Sequence, residues 1–294
     1  MNPLFQHPMG VGTWAWGDRL FWGYGQGYGE RELLGAYRAS LEAGIRLFDT
    51  AEFYGFGLSE RLLGRFLREG ERPYLVTKFF PYPWRLSRKD LLKALRGSLG
   101  RLGVEAVDLY LLHWPWPPVP LRVWAEALAE AYERGLARGV GVCNVSLAQL
   151  EVVKGVLERH RVPLFALQVE FNLLKRAWAA HLPALRQEGI ALMAYSPLAM
   201  GWLTGKLSPE NPPRDYRGNK YRPFLGRLRE LLPLLRRLAE AKGVSPAAIA
   251  LRYLIEKGAL PIPGAKNEDQ ARRNAEALRI ALTPEEMALL EEGA

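Results

Sequence analysis

The chain has 294 residues, of which 49% are hydrophobic and 24% are charged, and this composition is ordinary for a globular protein with a large core. The formal net charge is +9, but the arginines are spread along the sequence instead of concentrated on one element, which argues against a dedicated nucleic-acid binder. A single cysteine, Cys143, excludes an internal disulfide, and no apolar run reaches the roughly 20 residues that span a bilayer.

These bounds favour an intracellular protein over a secreted or membrane protein. The first residues, MNPLFQHPMG, lack the basic and then apolar layout of a signal peptide, so we expect a cytoplasmic location. The four histidines show neither H-x-x-x-H nor H-x-H spacing, and we therefore predict no metal site. We expect a small-molecule partner and predict no nucleic acid, no membrane and no obligate protein partner.

Short apolar runs alternate with helical patterns along the whole chain. The runs end near Thr13, Asp49, Lys78, His113, Asn144, Gln168, Tyr195 and Pro263. Most of these ends lie about 30 residues apart, the length of a strand plus its crossover helix. The pattern predicts an α/β fold, a single (β/α)8 TIM barrel over residues 1–294. The longest interval contains the segment Ser208–Phe224, and a loop of this length in a compact domain is usually functional.

Four polar residues follow successive strands: Asp49 and Tyr54 in LFDTAEFYG, Lys78 in YLVTK, and His113 in VDLYLLHWP. Strand ends converge on one face of a parallel barrel, so we expect these side chains to meet there. Tyr54 could supply a proton to a reduced carbonyl, with Lys78 lowering its pKa and Asp49 holding Lys78. His113 could orient the carbonyl. Each residue alone has an ordinary structural explanation, but their joint position favours catalysis.

These segments resemble the aldo-keto reductase family, and the match runs from Gly12 to Asn274. The family's catalytic Asp, Tyr, Lys and His fall on Asp49, Tyr54, Lys78 and His113. The resemblance implies a (β/α)8 barrel that uses NADPH/NADP+ and reduces aldehydes or ketones to alcohols.

The strand ends that follow resemble a nicotinamide site. The amides of Asn144 and Gln168 could pair with a carboxamide, and the ring of Tyr195 could stack on the nicotinamide. In the family these positions contact the cofactor, and a serine commonly precedes the asparagine. This chain has Cys143 there, a weaker donor. Further predicted cofactor contacts are Thr13, Trp14, Asp49, Ser196, Leu198 and Gly201.

The adenine end of the cofactor is predicted in LPIPGAKNEDQARRN. Gly264 allows close backbone approach, and the helix that follows offers its N-terminus to an anion. Lys266 and Arg272 are candidates for a 2′-phosphate, while an exposed charged helix start would also explain Lys266, Arg272 and Arg273. In the family, the positions of Gln270 and Asn274 contact the adenine region.

Aromatic residues are concentrated in the loops at the catalytic end and predict an apolar or ring-accepting pocket. The predicted substrate pocket consists of Trp16, Trp22, Tyr54, Trp84, His113 and Trp114, with selection by loops 14–28, 79–87 and 114–120. GTWAWGDRLFWGYG and SERLLGRF resemble the pyridoxal reductase subgroup, which implies reduction of pyridoxal to pyridoxine. General aldehyde detoxification and an NADP-binding regulatory barrel with little turnover are the alternatives.

Overall fold

The computed structural model describes residues 2–70 and 72–293. These residues form a sheet of eight parallel strands in which each strand pairs with the next one in the chain. The strands are β1 (Val11–Gly12), β2 (Leu47–Asp49), β3 (Tyr74–Phe79), β4 (Leu109–Leu112), β5 (Val140–Cys143), β6 (Leu164–Glu170), β7 (Ala191–Tyr195) and β8 (Leu260–Pro261).

The sheet closes on itself between its first and last strands. Gly10 and Gly12 donate backbone hydrogen bonds to the carbonyls of Pro261 and Pro263, both at 3.0 Å. Gly12 also forms a parallel bridge with Gly264, where an added Cβ on Gly12 would lie 2.7 Å from the Ile262 carbonyl oxygen. The predicted (β/α)8 barrel is confirmed, and each observed strand ends within two residues of its predicted end.

Helices surround the barrel and carry the expected start signals. Ser146 and Gln149 hydrogen-bond each other's backbone N–H at the start of one helix, and Ser245 caps another that begins with Pro246. The helices are α1 (Glu30–Glu42), α2 (Leu58–Phe66), α3 (Arg88–Leu102), α4 (Leu121–Glu133), α5 (Leu147–Arg159), α6 (Leu182–Gln187), α7 (Tyr216–Tyr221), α8 (Leu225–Lys242), α9 (Pro246–Glu256), α10 (Glu268–Ala275) and α11 (Pro284–Glu292).

The core has two layers, one inside the barrel and one between the strands and the helices. The inner layer consists of side chains such as Leu47, Val76, Leu109 and Met193. At the N-terminal end of the strands, Leu4 packs into this layer, and the Asn2 amide donates to the carbonyls of Phe165 and Gly189. The opposite, C-terminal end of the barrel carries the long loops and is the end at which a site is expected.

The segment predicted as a long loop, Ser208–Phe224, contains the short helix α7. Within residues 2–70 and 72–293, no helix is both long and apolar enough to cross a lipid bilayer.

Candidate active site

The strand register brings the four predicted catalytic residues to the C-terminal mouth of the barrel. Asp49 ends β2, Lys78 lies near the end of β3, and His113 follows β4 directly. Tyr54 begins a 3-10 turn after β2, and this turn bends sharply at Gly55, which has a φ of 54°. A Cβ on Gly55 would lie 2.6 Å from the carbonyl oxygen of Gly17, so the turn that presents Tyr54 depends on a glycine.

Lys78 is the centre of the hydrogen-bond network at this mouth. Its side chain is fully buried, and Nζ donates to Asp49 Oδ2 at 2.5 Å, to the Thr50 carbonyl at 2.8 Å and to Tyr54 Oη at 3.2 Å. These contacts use all three ammonium hydrogens. The second Asp49 oxygen accepts a hydrogen bond from the Gln168 amide at 2.8 Å. The network therefore fixes a cation beside the Tyr54 hydroxyl.

Burial keeps Tyr54 protonated at neutral pH. Burial raises the pKa of Tyr54 to about 12, while the Lys78 ammonium opposes that rise. The sequence predicted a lowered value because it showed the cation but not the depth of burial. Burial also acts to lower the pKa of Lys78, but Asp49 and Tyr54 outweigh it, and the pKa lies above its usual value. Lys78 is thus an ammonium ion throughout the physiological range.

His113 lies against Tyr54 as a neutral imidazole. The two rings form an edge contact with centroids 5.7 Å apart and an angle of 81° between their planes. Burial, with help from the charge of Lys78, holds the pKa of His113 well below its usual value. Its Nδ1 atom is buried and makes no hydrogen bond with any residue that the structure describes. A neutral imidazole donates one hydrogen bond, so His113 is suited to orienting an oxygen atom.

A cavity of about 490 Å³ opens over this network. Its volume falls in the range of small-molecule and cofactor sites. The predicted site residues that line it are Trp14, Trp22, Asp49, Tyr54, His113, Trp114, Asn144, Gln168, Tyr195, Ser196, Leu198, Gly201, Gly264, Lys266, Gln270 and Asn274.

One wall of the cavity carries the predicted nicotinamide residues. Tyr195 donates its hydroxyl hydrogen to Asn144 Oδ1 at 2.9 Å, and the Asn144 amide donates to the His113 carbonyl at 3.1 Å. Asn144 and Ser196 both have a positive φ, of 58° and 47°. Such backbone strain in non-glycine residues often occurs at functional sites. The chain therefore presents an aromatic ring next to a row of amides.

The far end of the cavity is rich in positive charge. Five cationic residues line the cavity, Lys206, Arg217, Lys220, Lys266 and Arg273, whereas Asp49 is the one carboxylate among the lining residues of the described chain. Lys266 Nζ donates to the Trp22 carbonyl at 3.0 Å and lies 4.8 Å from the centroid of the Trp22 ring. Burial, with help from Arg217, lowers the pKa of Lys266. This end is suited to an anionic group.

Three predicted contact residues are buried behind the cavity wall. Trp16 is fully buried and donates from Nε1 to the Ala265 carbonyl at 2.9 Å, so it is a core residue and not part of a substrate pocket. The Thr13 hydroxyl donates to the Asp49 carbonyl at 3.0 Å and positions β1 against β2. Cys143 points into the inner layer, where burial raises the pKa of its thiol. Thr13 and Cys143 are therefore not among the residues that line the cavity.

Two other predicted residues lie outside the cavity. Trp84 is 72% exposed and stacks on Tyr82. Arg272 faces away from the cavity and pairs with Glu268 and Glu42, at 2.8 Å and 2.9 Å. The neighbouring Arg273 lines the cavity instead.

Several lining residues were not predicted from the sequence, among them Phe53, Lys206, Arg217 and Lys220. Phe53 directly precedes Tyr54, so its position in the motif was an available signal. The three cations lie after β7, and Arg217 and Lys220 belong to the segment Ser208–Phe224, whose length was noted. Whether the side chains of Arg217 and Lys220 face the cavity depends on how that segment folds, and no local sequence pattern predicts this.

Comparison with known proteins agrees with this geometry. A sequence profile of the Aldo/keto reductase family matches residues 8–293. The chain is 39% identical to the chloroplastic pyridoxal reductase of Arabidopsis thaliana over 99% of this chain and 84% of the relative. Among solved structures, a glycerol dehydrogenase from Gluconobacter oxydans is similar with a TM-score of 0.85 and 29% identity, covering 97% of this chain and 90% of that one.

A second similar structure is an aldo/keto reductase from Klebsiella pneumoniae in complex with NADP and acetate. It has a TM-score of 0.78 and 29% identity, and the match covers 97% of this chain and 90% of that one.

Proposed function

Since the chain belongs to the aldo/keto reductase family, we propose that it reduces an aldehyde or ketone to an alcohol with NADPH and that Tyr54 is the general acid. The observation that carries this proposal is the position of Lys78. Its buried ammonium joins Asp49 and Tyr54 in one network at the base of the cavity.

The residues of the cavity fit a phosphorylated dinucleotide. When bound, NADPH supplies a hydride to the carbonyl carbon. The amides of Asn144 and Gln168 and the ring of Tyr195 would hold the nicotinamide. The cations at the far end, Lys266 and Arg273 among them, would bind the phosphates. The Klebsiella pneumoniae relative, solved with NADP, supports this choice.

Proton delivery follows from the Lys78 network. Negative charge builds up on the carbonyl oxygen during reduction, and the Tyr54 hydroxyl donates its proton to that oxygen. The nearby Lys78 ammonium, 3.2 Å from Tyr54 Oη, stabilises the tyrosinate that remains. Asp49 holds the ammonium in place and balances its charge. The alkoxide is a stronger base than the tyrosinate, so the transfer is favourable even with a raised Tyr54 pKa.

His113 has a different part in the reaction. It is neutral because burial lowers its pKa, and a neutral imidazole is a much weaker acid than the Tyr54 phenol. It therefore orients the carbonyl oxygen by hydrogen bonding and leaves the proton transfer to Tyr54.

For the substrate itself we propose pyridoxal. This choice is supported by the 39% identity to the Arabidopsis thaliana relative over 99% of the chain. The cavity also offers aromatic walls at its catalytic end, with Trp14, Phe53 and Trp114 around Tyr54. A planar pyridine ring fits such walls. The cytoplasmic location stays a prediction, and the Arabidopsis thaliana relative is described as chloroplastic.

The deciding experiment measures NADPH consumption by the purified chain with pyridoxal, 4-nitrobenzaldehyde and methylglyoxal. We expect multiple turnovers, with the highest kcat/KM for pyridoxal. Equal rates on all three aldehydes would instead favour general aldehyde detoxification. NADPH binding without turnover would contradict the reductase proposal and favour the regulatory barrel. The variant Tyr54→Phe serves as the control for adventitious reduction.

A further inference from the structure

A row of aromatic side chains extends from the catalytic end of the cavity to the surface. We call the five residues Phe80, Tyr82, Trp84, Trp114 and Trp116 the aromatic ladder. Trp114 lines the cavity and stacks on Trp116, with centroids 5.3 Å apart and an angle of 21°. Phe80 contacts both Trp116, at 5.2 Å, and Tyr82, at 4.8 Å. Tyr82 and Trp84 stack nearly parallel at 4.7 Å. The ladder is thus one continuous set of ring contacts.

Two rings of the aromatic ladder are open to solvent. Trp84 is 72% exposed and Trp116 is 44% exposed. Single exposed apolar residues are common on protein surfaces, but contiguous apolar patches usually mark a binding site. This patch is continuous with the cavity through Trp114 and through Phe53, which stacks on Phe80 at 4.4 Å. The patch therefore adjoins the place where the carbonyl would react.

An ion pair with a buried carboxylate holds the loop that carries Phe80, Tyr82 and Trp84. Arg85 pairs with the buried carboxylate of Glu52 and donates to the Phe80 carbonyl at 2.7 Å. Glu52 also accepts the backbone N–H of Phe80 at 2.7 Å. The Arg85 guanidinium lies 5.0 Å from the centroid of the Tyr82 ring. These contacts fix Phe80 and Tyr82, on which the exposed rings pack, before any ligand arrives, and a preorganised surface loses less entropy on binding.

We propose that the aromatic ladder is a distal subsite that binds a second planar ring of the substrate. This inference rests on the proposed carbonyl reduction and adds a substrate class to it. The subsite would extend the accepted substrates beyond pyridoxal, which has a single ring, to carbonyl compounds that carry a second aromatic ring on an arm that reaches past Trp114. The occupant is the far end of the substrate because the ladder begins inside the cavity, at a residue next to His113.

The test compares benzaldehyde, 4-benzyloxybenzaldehyde and 4-(cyclohexylmethoxy)benzaldehyde as substrates of the unmodified chain with NADPH. We expect the aromatic two-ring aldehyde to have the highest kcat/KM. In Trp84→Ala and Trp116→Ala, kcat/KM for this substrate should fall about three- to ten-fold, as expected for a lost ring contact. The loss should lie mainly in KM, and kcat/KM for benzaldehyde should change by less than about two-fold. Trp84→Phe should retain most of the preference.

Leu86→Ala is the matched control. Leu86 lies in the same loop and is 60% exposed, but it carries no ring. It should leave both substrates unaffected. Equal losses on one-ring and two-ring aldehydes would show a structural role for the ladder and overturn the proposal. No loss on either substrate would overturn it as well.

A binding experiment separates this proposal from the proposed function. Calorimetric titration of 4-benzyloxybenzyl alcohol and benzyl alcohol into the NADPH-loaded chain involves no turnover, because an alcohol cannot accept a hydride from the reduced cofactor. The ladder predicts tighter binding of the two-ring alcohol and a loss of that advantage in Trp84→Ala and Trp116→Ala. If no aldehyde is reduced, the reductase proposal fails, and this titration still decides whether the subsite exists.

Discussion

The two ends of the cavity are built in different ways. At the catalytic end, Lys78 and Asp49 have side chains that are 0% and 2% exposed, and they belong to neighbouring strands. The far end, which is lined by the five cationic residues, is called the anion end below. There, Arg273 and Asp269 form a pair with side chains that are 49% and 59% exposed, and both residues lie on α10. Polar contacts in the buried network are strong because solvent does not screen them, whereas the exposed pair is weak and can exchange partners. The catalytic side chains are thus held in place before a ligand binds, whereas the cationic side chains that would bind the charged ligand can change their partners.

The largest effect should come from removing the Tyr54 hydroxyl. The variant Tyr54→Phe should lower kcat by about 10²- to 10⁴-fold, since the general acid is lost while the ring remains. NADPH affinity, measured by fluorescence titration, should change by less than about two-fold because the cations of the anion end are untouched. A variant with normal turnover would remove Tyr54 from its proposed role. A variant that loses NADPH binding would show that the two ends are coupled.

The pH dependence should separate the two directions of the reaction. Reduction needs protonated Tyr54, whose pKa is raised to about 12, so its rate should stay nearly constant between pH 6 and 9. Alcohol oxidation needs the tyrosinate, whose fraction rises about ten-fold per pH unit below the pKa, so its rate should climb steeply over the same range.

Initial rates in both directions, measured with the same alcohol and aldehyde pair, check this prediction. His113 should not titrate in this window, because its pKa lies well below 6.5. A bell-shaped reduction profile centred near neutral pH would contradict the assignment and point to an acid other than Tyr54.

The difference between the two ends also explains what the sequence could predict. Asp49, Lys78 and His113 each follow a buried apolar run, and strand ends in a parallel barrel converge whatever the loops do. Their meeting point was therefore readable from the local pattern. The raised pKa of Tyr54 could not be predicted in this way, because the burial that raises it depends on all the segments that surround the mouth of the barrel.

The sequence could not predict that residues one or two positions apart face in different directions. Trp14 and Trp16 follow the same strand, but Trp16 turns into the core to reach the Ala265 carbonyl, 249 residues away in the chain. Arg272 and Arg273 are adjacent on α10 and differ only in the direction they face. That direction is set by how α10 packs on α1 and α9, and this packing leaves no local trace in the sequence.

Arg272 and Arg273 provide a matched test of the anion end. Arg273→Ala should weaken NADPH binding about ten-fold, as expected for loss of one partly exposed charge-assisted hydrogen bond. NADH affinity should change much less, since NADH lacks the 2′-phosphate. Arg272→Ala should leave both affinities unchanged, because Arg272 faces Glu42 and Glu268. Equal weakening of NADPH and NADH in Arg273→Ala would show that Arg273 acts on another part of the cofactor.

The smallest expected effect concerns the segment Ser208–Phe224, which we predict closes over the cofactor. Its second half is anchored, because buried Tyr221 donates to Glu170 Oε1 at 2.7 Å and Trp202 Nε1 donates to the Arg217 carbonyl at 3.2 Å. Closure should therefore be limited to residues 208–215. Trypsin cleavage after the exposed Arg214 should slow by about three- to ten-fold with NADPH bound, whereas cleavage after Lys220 should be slow in both states.

Mass spectrometry of the fragments over time gives both rates from one digestion, and cleavage after Lys220 is the internal control. The variant Tyr221→Phe should raise the rate of cleavage after Lys220, because it removes the hydrogen bond to Glu170. Identical Arg214 rates with and without NADPH would show that the segment does not respond to the cofactor. In that case the anion end would be as rigid as the catalytic end, and the contrast between them would lie in exposure and charge alone.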